Sequence, residues 1–217
     1  MFFYSILITS GIFGFLYAYN NVSNIFKNTL SYLDYKVDDF NINDFPSRII
    51  MIGSHTTIYD FIIGTLFYYG YLHKRYDTYV LMKENFEKVV SPLLWLFDKK
   101  FKLISVISSK KQKLTEQIST TLKDKNNYIL YLAPEGTRKC TDKLRSGYWV
   151  IAKELNVDIV YIGIDFMSKT ITFEKNRKVC DEWEDEKNEF IKCCKKYVPL
   201  YPERCYWTKD FYYLTDD

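Results

Sequence analysis

The sequence predicts an α/β domain in which a mixed, mostly parallel sheet is flanked by helices. Beyond residue 30, short runs of β-branched and aromatic residues alternate with longer amphipathic stretches, which is typical of strands alternating with helices. No repeat and no Pro/Gly-rich linker divides the chain, and 217 residues suit one domain. A composition of 47% hydrophobic and 26% charged residues provides enough apolar surface for a core.

The strands are predicted from apolar runs rich in β-branched and aromatic residues. In chain order they are Ser47–Ile52, Thr78–Met82, Lys102–Ile107, Asn127–Leu132, Asp158–Gly163 and Thr170–Phe173. The last two are separated by a turn-like Met167–Lys169 and are predicted to form a hairpin. The helices are predicted from apolar residues at helical spacing. They are Tyr59–Leu72, Glu84–Phe97, Lys110–Lys123, Ser146–Leu155 and Glu182–Tyr197.

The amino terminus, Met1–Tyr19, carries no charged side chain, and the first one along the chain is Lys27. As a helix these residues would extend roughly 28 Å, close to the ~30 Å hydrocarbon layer of a bilayer. We expect residues 1–19 to be a membrane anchor, with an interfacial segment, a buried helix or a weak signal peptide as alternatives. Residues 30–217 are then the folded domain, and Lys27 and Lys36 favour its placement on the cytosolic side.

Charge and cysteine content exclude several kinds of protein. Thirty basic against 27 acidic residues give a net charge of +3, too small for a dedicated nucleic-acid binder. Five cysteines without a C-x-x-C pair, together with only two histidines, favour neither a zinc site nor a disulfide framework. We therefore expect no metal and no nucleic-acid partner.

His55 and Asp60 follow the first predicted strand, in the sequence GSHTTIYDF. In open α/β sheets, ligands bind where strands end. A carboxylate in the first turn of the next helix can orient the imidazole, which then removes a proton from a hydroxyl. An alternative is a capping box, Thr57-x-x-Asp60, in which Asp60 only caps the helix.

The sequence APEGTRKC follows the strand that ends at Leu132. Gly136 allows a tight turn, Thr137 adds a hydroxyl, and Arg138 offers two parallel donors to a phosphate or carboxylate. Glu135 could bind a substrate hydroxyl or orient Arg138. An exposed turn with a solvated ion pair is the alternative.

Together these motifs resemble those of the glycerolipid acyltransferases, and the chain is similar to small bacterial-type 1-acylglycerol-3-phosphate (lysophosphatidic acid) acyltransferases. The resemblance covers about residues 47–174. The matching stretches are SHTTIYDF at Ser54–Phe61, APEGTRK at Ala133–Lys139 and KLRSGYWVIAKELNVDIVYIGIDF at Lys143–Phe166.

The resemblance implies transfer of an acyl group from acyl-CoA or acyl-carrier protein to a lysophospholipid hydroxyl, giving phosphatidic acid without a metal, a cofactor or an acyl-enzyme. It implies that His55 is the general base, that Asp60 orients it, and that membrane lipid is close. The implied substrate-binding residues are Glu135, Gly136, Thr137 and Arg138, and we expect Lys83 and Lys110 to contribute to substrate binding as well.

The middle motif of the family departs from its pattern here. Lys83 and Pro92 match its first part, but Lys102 and Leu103 stand where glycines are expected, and Ser108 where an arginine is expected. Lys102, Lys110 or Lys111 could replace that arginine as a point charge. The acceptor could therefore be glycerol-3-phosphate, another lysophospholipid or an alcohol. A non-catalytic, membrane-anchored lipid-binding protein of the same fold is the alternative from another class.

The aromatic tail YPERCYWTKDFYYLTDD lies outside the resemblance. Packing over the domain and contact with lipid both stay open for it.

Overall fold

A computed structural model describes residues 21–38, 41–83, 100–106 and 114–208. Within these ranges, seven strands form one mixed sheet whose order is β1-β7-β6-β2-β5-β3-β4. In chain order they are β1 Lys36–Val37, β2 Arg48–Ile52, β3 Asp77–Lys83, β4 Phe101–Val106, β5 Tyr128–Leu132, β6 Asp158–Asp165 and β7 Thr170–Phe173. Among these seven described strands, only the β6–β7 pair is antiparallel. The predicted α/β fold with a mostly parallel sheet is therefore confirmed.

Helices cover both faces of this sheet. The helices are α1 Val22–Tyr32, α2 Ile58–Phe67, α3 Leu114–Leu122, α4 Gly147–Leu155 and α5 Trp183–Cys194, and α2 continues into a π-helical turn at Tyr68–Leu72. The cluster on one face joins Ile49 and Met51 to α1 and α2, and the cluster on the other joins Ile50 and Ile52 to α3, α4 and α5. Successive residues of β2 thus point to opposite cores, because side chains alternate along a strand.

The pairing of β2 with β5 positions the candidate site. Ile52 and Leu132 are register partners at the carboxyl ends of these two parallel strands. His55 and Glu135 each follow three residues later, so both predicted motifs leave the sheet side by side at the same edge.

The predicted strands match the observed ones closely, and the predicted hairpin is β6 and β7. In its turn, Lys169 has a φ of 52°, in the left-handed region. The sequence did not predict β1, which is only two residues long, or α1. In α1 the residues Ser, Asn and Thr weaken the helical signal, and the helix is held instead by contacts with α2 and the π-helical turn.

Two predicted segments lie wholly outside the described residues. The predicted helix Glu84–Phe97 falls entirely outside them, as does the proposed anchor, residues 1–19. Among the residues that the structure describes, no helix is long and apolar enough to span a membrane.

Candidate active site

The loop between β2 and α2 brings His55 and Asp60 together. His55 Nδ1 lies 3.3 Å from Asp60 Oδ2, and the two side chains are 31% and 10% exposed. The imidazole is thus open to the adjoining cleft, while the carboxylate is largely enclosed. With Nδ1 facing Asp60, Nε2 is the nitrogen left to meet a ligand.

Asp60 also caps α2, so the two interpretations of this motif hold at once. The main-chain amides of Thr56 and Thr57 donate to Asp60 Oδ2 at 2.7 and 2.8 Å, and Thr57 and Asp60 form a capping box. These two amides and the imidazole meet on one oxygen. The cap therefore fixes the carboxylate in the position from which it faces His55.

Glu135 holds the same loop from the neighbouring strand end. Ser54 Oγ donates to Glu135 Oε1 at 2.7 Å, and the His55 amide donates to Oε2 at 3.0 Å. Glu135 is 2% exposed, and burial raises the pKa of its carboxyl although both hydrogen bonds act in the opposite direction. Both carboxylate oxygens are engaged beneath the His55 loop, and Glu135 is not among the residues that line the cleft.

Gly136 adopts a φ of 62°, a conformation that favours glycine. A Cβ on Gly136 would come within 2.4 Å of Arg145 Nε, so the Arg145 side chain crosses the space that a larger residue would fill. The Arg145 amide donates to Pro134 O at 2.8 Å, which joins the segment before α4 to the Glu135 turn. This places Arg145 beside Gly136.

A cleft of about 750 Å³ opens at this edge of the sheet. His55 and Asp60 lie on its wall together with three cationic residues, Arg138, Lys139 and Arg145. Much of the remaining lining is apolar: Ile58, Phe61, Val80, Leu81, Phe101, Leu114, Ile118, Leu132, Ile151, Ile162 and Ile164. The cleft therefore combines a proton acceptor, a cationic region and an apolar region.

Within the described ranges, the cations of this cleft have no carboxylate partner. No described acidic residue forms an ion pair with Arg138, Lys139 or Arg145, and Arg138 and Arg145 are both exposed. Unpaired guanidinium groups in a cleft attract anions and can bind a phosphate with two parallel donors.

The remaining predicted substrate-binding residues are Thr137, Lys83 and Lys110. Thr137 lines the cleft, and its hydroxyl also accepts the Lys139 amide at 3.2 Å. Lys83 ends β3 at the edge of the sheet where the cleft lies, while Lys110 and Lys111 lie outside the described residues.

Lys102 is one of the lysines that could replace the arginine expected at Ser108, but its side chain is engaged elsewhere. Its ammonium group donates to Asp77 Oδ2 at 2.6 Å and to the Tyr79 hydroxyl at 3.3 Å, near the start of β3 and β4. Lys102 is thus engaged by Asp77 and Tyr79 and does not line the cleft, so the structure does not support it as the replacement for the missing arginine.

Comparison with known protein families identifies the family of this chain. The family model described as Acyltransferase matches residues 36–191, well over half of the chain. This chain belongs to the glycerolipid acyltransferase family. No curated protein and no solved structure matches it. The acyltransferase has no group of three or more potential metal ligands in the part of the chain that the structure describes.

Sequence reasoning missed three residues of this acyltransferase site: Ser54, Arg145 and Arg204. Ser54 and Arg145 stood inside stretches quoted for the family resemblance, but only their spatial neighbours show what they contact. Arg204 donates to the Thr56 carbonyl from the aromatic tail, at a sequence separation of 148 residues. Within residues 201–207 of that tail, Cys205 and Trp207 pack into the domain and are 0% and 6% exposed.

Proposed function

We propose that this acyltransferase moves a fatty acyl group from an acyl thioester to the hydroxyl of a lysophospholipid such as 1-acylglycerol-3-phosphate, giving phosphatidic acid. The observation that carries the proposal is the His55–Asp60 pair at 3.3 Å in a cleft that also contains Arg138 and Arg145. A base, an anion-binding region and an apolar region are what a phosphorylated, acylated acceptor requires of one site.

In the proposed reaction, His55 Nε2 accepts the proton of the acceptor hydroxyl as its oxygen attacks the thioester carbonyl carbon. Asp60 keeps the proton of the imidazole on Nδ1 and stabilises the imidazolium that forms. The tetrahedral intermediate then collapses, the C–S bond breaks, and the imidazolium returns a proton to the leaving thiolate. The products are an ester and a free thiol, with acyl-CoA or acyl-carrier protein as the donor.

We assign the acceptor phosphate to the cationic region of the cleft. Arg138 and Arg145 both line the cleft, and the lack of a side chain on Gly136 leaves room for Arg145. Two guanidinium groups can supply the paired donors that a phosphate accepts, and Lys139 adds a third positive charge. Lys83 and Lys110 remain proposed contributors.

We assign to Glu135 the positioning of the catalytic loop, residues 53–57 between β2 and α2. Its bonds to Ser54 and His55 support this assignment. The residues of this motif thus have two different roles. Glu135 holds the His55 amide, whereas Gly136, Thr137 and Arg138 line the cleft.

We further propose that the enzyme works at a membrane, on its cytosolic side. Two exposed apolar residues support this, Tyr32 at the end of α1 and Met167 in the β6–β7 turn, which are 87% and 83% exposed. The β6–β7 turn lies at the same edge of the sheet as the cleft, because β6 is parallel to β2. A lipid acceptor could then enter the cleft without crossing water.

The test is acyl transfer by the purified full chain in detergent, with labelled acyl-CoA and 1-acylglycerol-3-phosphate. Labelled phosphatidic acid should form, and His55→Ala should abolish it while His73→Gln, at the other histidine, keeps it. Turnover by His55→Ala at the rate of the wild type would refute the assignment of the base.

A panel of acceptors at fixed donor decides between lysophospholipids, glycerol-3-phosphate and a non-phosphorylated alcohol. The departure at Ser108 motivates the panel, because the arginine expected there is absent. Equal rates with and without a phosphate on the acceptor would contradict the assignment of Arg138 and Arg145. Copurified lipid without turnover over any donor would favour the non-catalytic alternative.

A further inference from the structure

The catalytic loop contacts residues that lie beyond the segment matched by the family model. The match ends at residue 191, whereas Arg204 and Cys205 belong to the segment after α5. Arg204 donates from a terminal guanidinium nitrogen to the Thr56 carbonyl at 3.1 Å, and Cys205 Sγ lies 3.8 Å from Ser54 Oγ. We call residues 197–207 the C-terminal strap.

The strap is fixed to the sheet before it reaches the loop. The Val198 amide donates to Asp165 Oδ2 and the Phe166 amide donates to Val198 O, both at 2.8 Å. The ring of Tyr197 occupies the space above Gly163, where a Cβ would come within 2.3 Å of it. These contacts set the starting point of the strap at the carboxyl end of β6.

The far end of the strap is also held. Cys205 is fully buried, and Trp207 packs edge-to-face against Phe190 of α5 with ring centroids 6.3 Å apart. Arg204 lies between these anchors, with its guanidinium 4.0 Å from the centre of the Tyr201 ring. Stacking of this kind limits the conformations from which Arg204 can reach Thr56.

The atom that Arg204 contacts connects it to the active site. The Thr56 carbonyl and the Thr57 amide belong to one planar peptide unit, and that amide donates to Asp60 Oδ2 at 2.8 Å. A cation on the carbonyl fixes the plane of this peptide and polarises its N–H towards the carboxylate. Asp60 in turn faces His55 Nδ1.

We propose that Arg204 is a positioning residue of the acyltransferase site, which holds the Thr56–Thr57 peptide so that Asp60 keeps His55 oriented. This rests on the proposed function for its catalytic consequence. Arg204 does not line the cleft, so it contacts no substrate there, and its side chain is 41% exposed. Its effect is therefore expected in turnover rather than in acceptor binding or in global stability.

The experiment compares Arg204→Ala and Arg204→Lys with Arg75→Ala in the full chain. Arg75 is a matched control because it also holds a loop through main-chain carbonyls, those of Ile42 and Phe45, but at the other edge of the sheet. Arg204→Ala should lower kcat about tenfold to hundredfold with the acceptor KM within about twofold, because a misplaced catalytic group slows chemistry at unchanged affinity. Arg204→Lys should keep part of the wild-type kcat, and methylguanidinium added to Arg204→Ala should restore part of it.

Hydrogen exchange gives a second readout that does not depend on activity. The amides of Thr56 and Thr57 should exchange faster in Arg204→Ala than in the wild type or in Arg75→Ala. If the wild type transferred no acyl group, the proposed function would fail while exchange still decided whether Arg204 holds the loop. Unchanged exchange, or a kcat loss equal to that of Arg75→Ala, would overturn the proposal.

Discussion

The His55 amide donates to the carboxylate of Glu135, at 3.0 Å and across 80 residues of sequence. This bond joins the loop after β2 to the turn after β5, and Ser54 adds a second bond to the same carboxylate. Glu135 is thus the direct structural connection between the two motifs on which the proposed function depends.

Glu135→Gln should preserve the loop, whereas Glu135→Ala should not. A glutamine can accept the His55 amide through its oxygen and donate to Ser54 through its nitrogen, so both contacts survive. Alanine leaves two buried donors unpaired, which costs about 1–3 kcal/mol for each group. The unfolding temperature and the acyl-transfer rate of both variants are measured at neutral pH. Equal losses of stability and activity in Glu135→Gln and Glu135→Ala would contradict the role given to the two hydrogen bonds.

The same pair of variants tests the buried charge of Glu135. Burial raises the pKa of its carboxyl in the folded protein, so folding favours the protonated form. The stability of the wild type relative to Glu135→Gln should therefore fall as pH rises from about 4.3 through the raised folded pKa. Chemical unfolding of both proteins at several pH values gives this difference. A difference that grows with pH would show that the carboxylate is stabilised rather than penalised.

Asp60→Asn should separate the two tasks of Asp60. The asparagine oxygen can still accept the Thr56 and Thr57 amides, so the cap of α2 and the unfolding temperature should change little. An amide cannot stabilise the imidazolium as a carboxylate does, and kcat should fall by about 10²–10⁴. Steady-state kinetics with a parallel melting curve decide this. Normal kcat in Asp60→Asn would leave Asp60 as a helix cap alone.

Arg138→Lys and Arg145→Lys should each raise the acceptor KM and affect kcat less. A lysine keeps the charge but loses the two parallel donors that fit a phosphate. Removal of a hydrogen bond to a charged group corresponds to about 1.5–3 kcal/mol, and the KM should rise by about tenfold or more. Lys125→Ala, an exposed cation in the loop between α3 and β5, is the control. An unchanged KM in Arg145→Lys would place the phosphate elsewhere in the cleft.

Glu186 should be essential for stability rather than for catalysis. This fully buried carboxylate accepts bonds from Arg177, Tyr148, Tyr161 and the Cys180 amide, which join α5 to β6 and α4. Burial pushes its pKa upward, but the bonds from Tyr161, Cys180 and Arg177 outweigh burial and leave the pKa below its ordinary value.

Glu186→Gln should therefore lower the free energy of unfolding by about 3 kcal/mol at pH 7, because Arg177 loses its buried partner. The stability from the lowered pKa is present above about pH 4.3 and is lost as pH falls through the folded pKa. The difference in free energy of unfolding between the wild type and Glu186→Gln should become smaller at acid pH, as measured by chemical unfolding. A gap that is the same at pH 7 and at pH 3 would assign no stability to the ionised carboxylate.

The strands and most helices could be predicted because their signals are local. The apolar run of Tyr128–Leu132 predicts a strand, and the Thr57-x-x-Asp60 spacing predicts the start of a helix. The helix Val22–Tyr32 was missed because its stability comes from packing against α2 and the π-helical turn.

The sequence by itself determined the α/β class and the two motifs whose family resemblance indicated an acyltransferase, because each rests on neighbouring residues. Only the tertiary structure decided how the motifs share their work: Glu135 turns inward to His55, Arg145 crosses Gly136, and Lys102 pairs with Asp77. The resemblance had placed Glu135 with the substrate-binding residues, and it left the aromatic tail unassigned. Long-range contacts such as Arg204 to Thr56 have no local signal, since nothing in either segment encodes the position of the other. The register of parallel strands and the path of the chain after α5 bring them together.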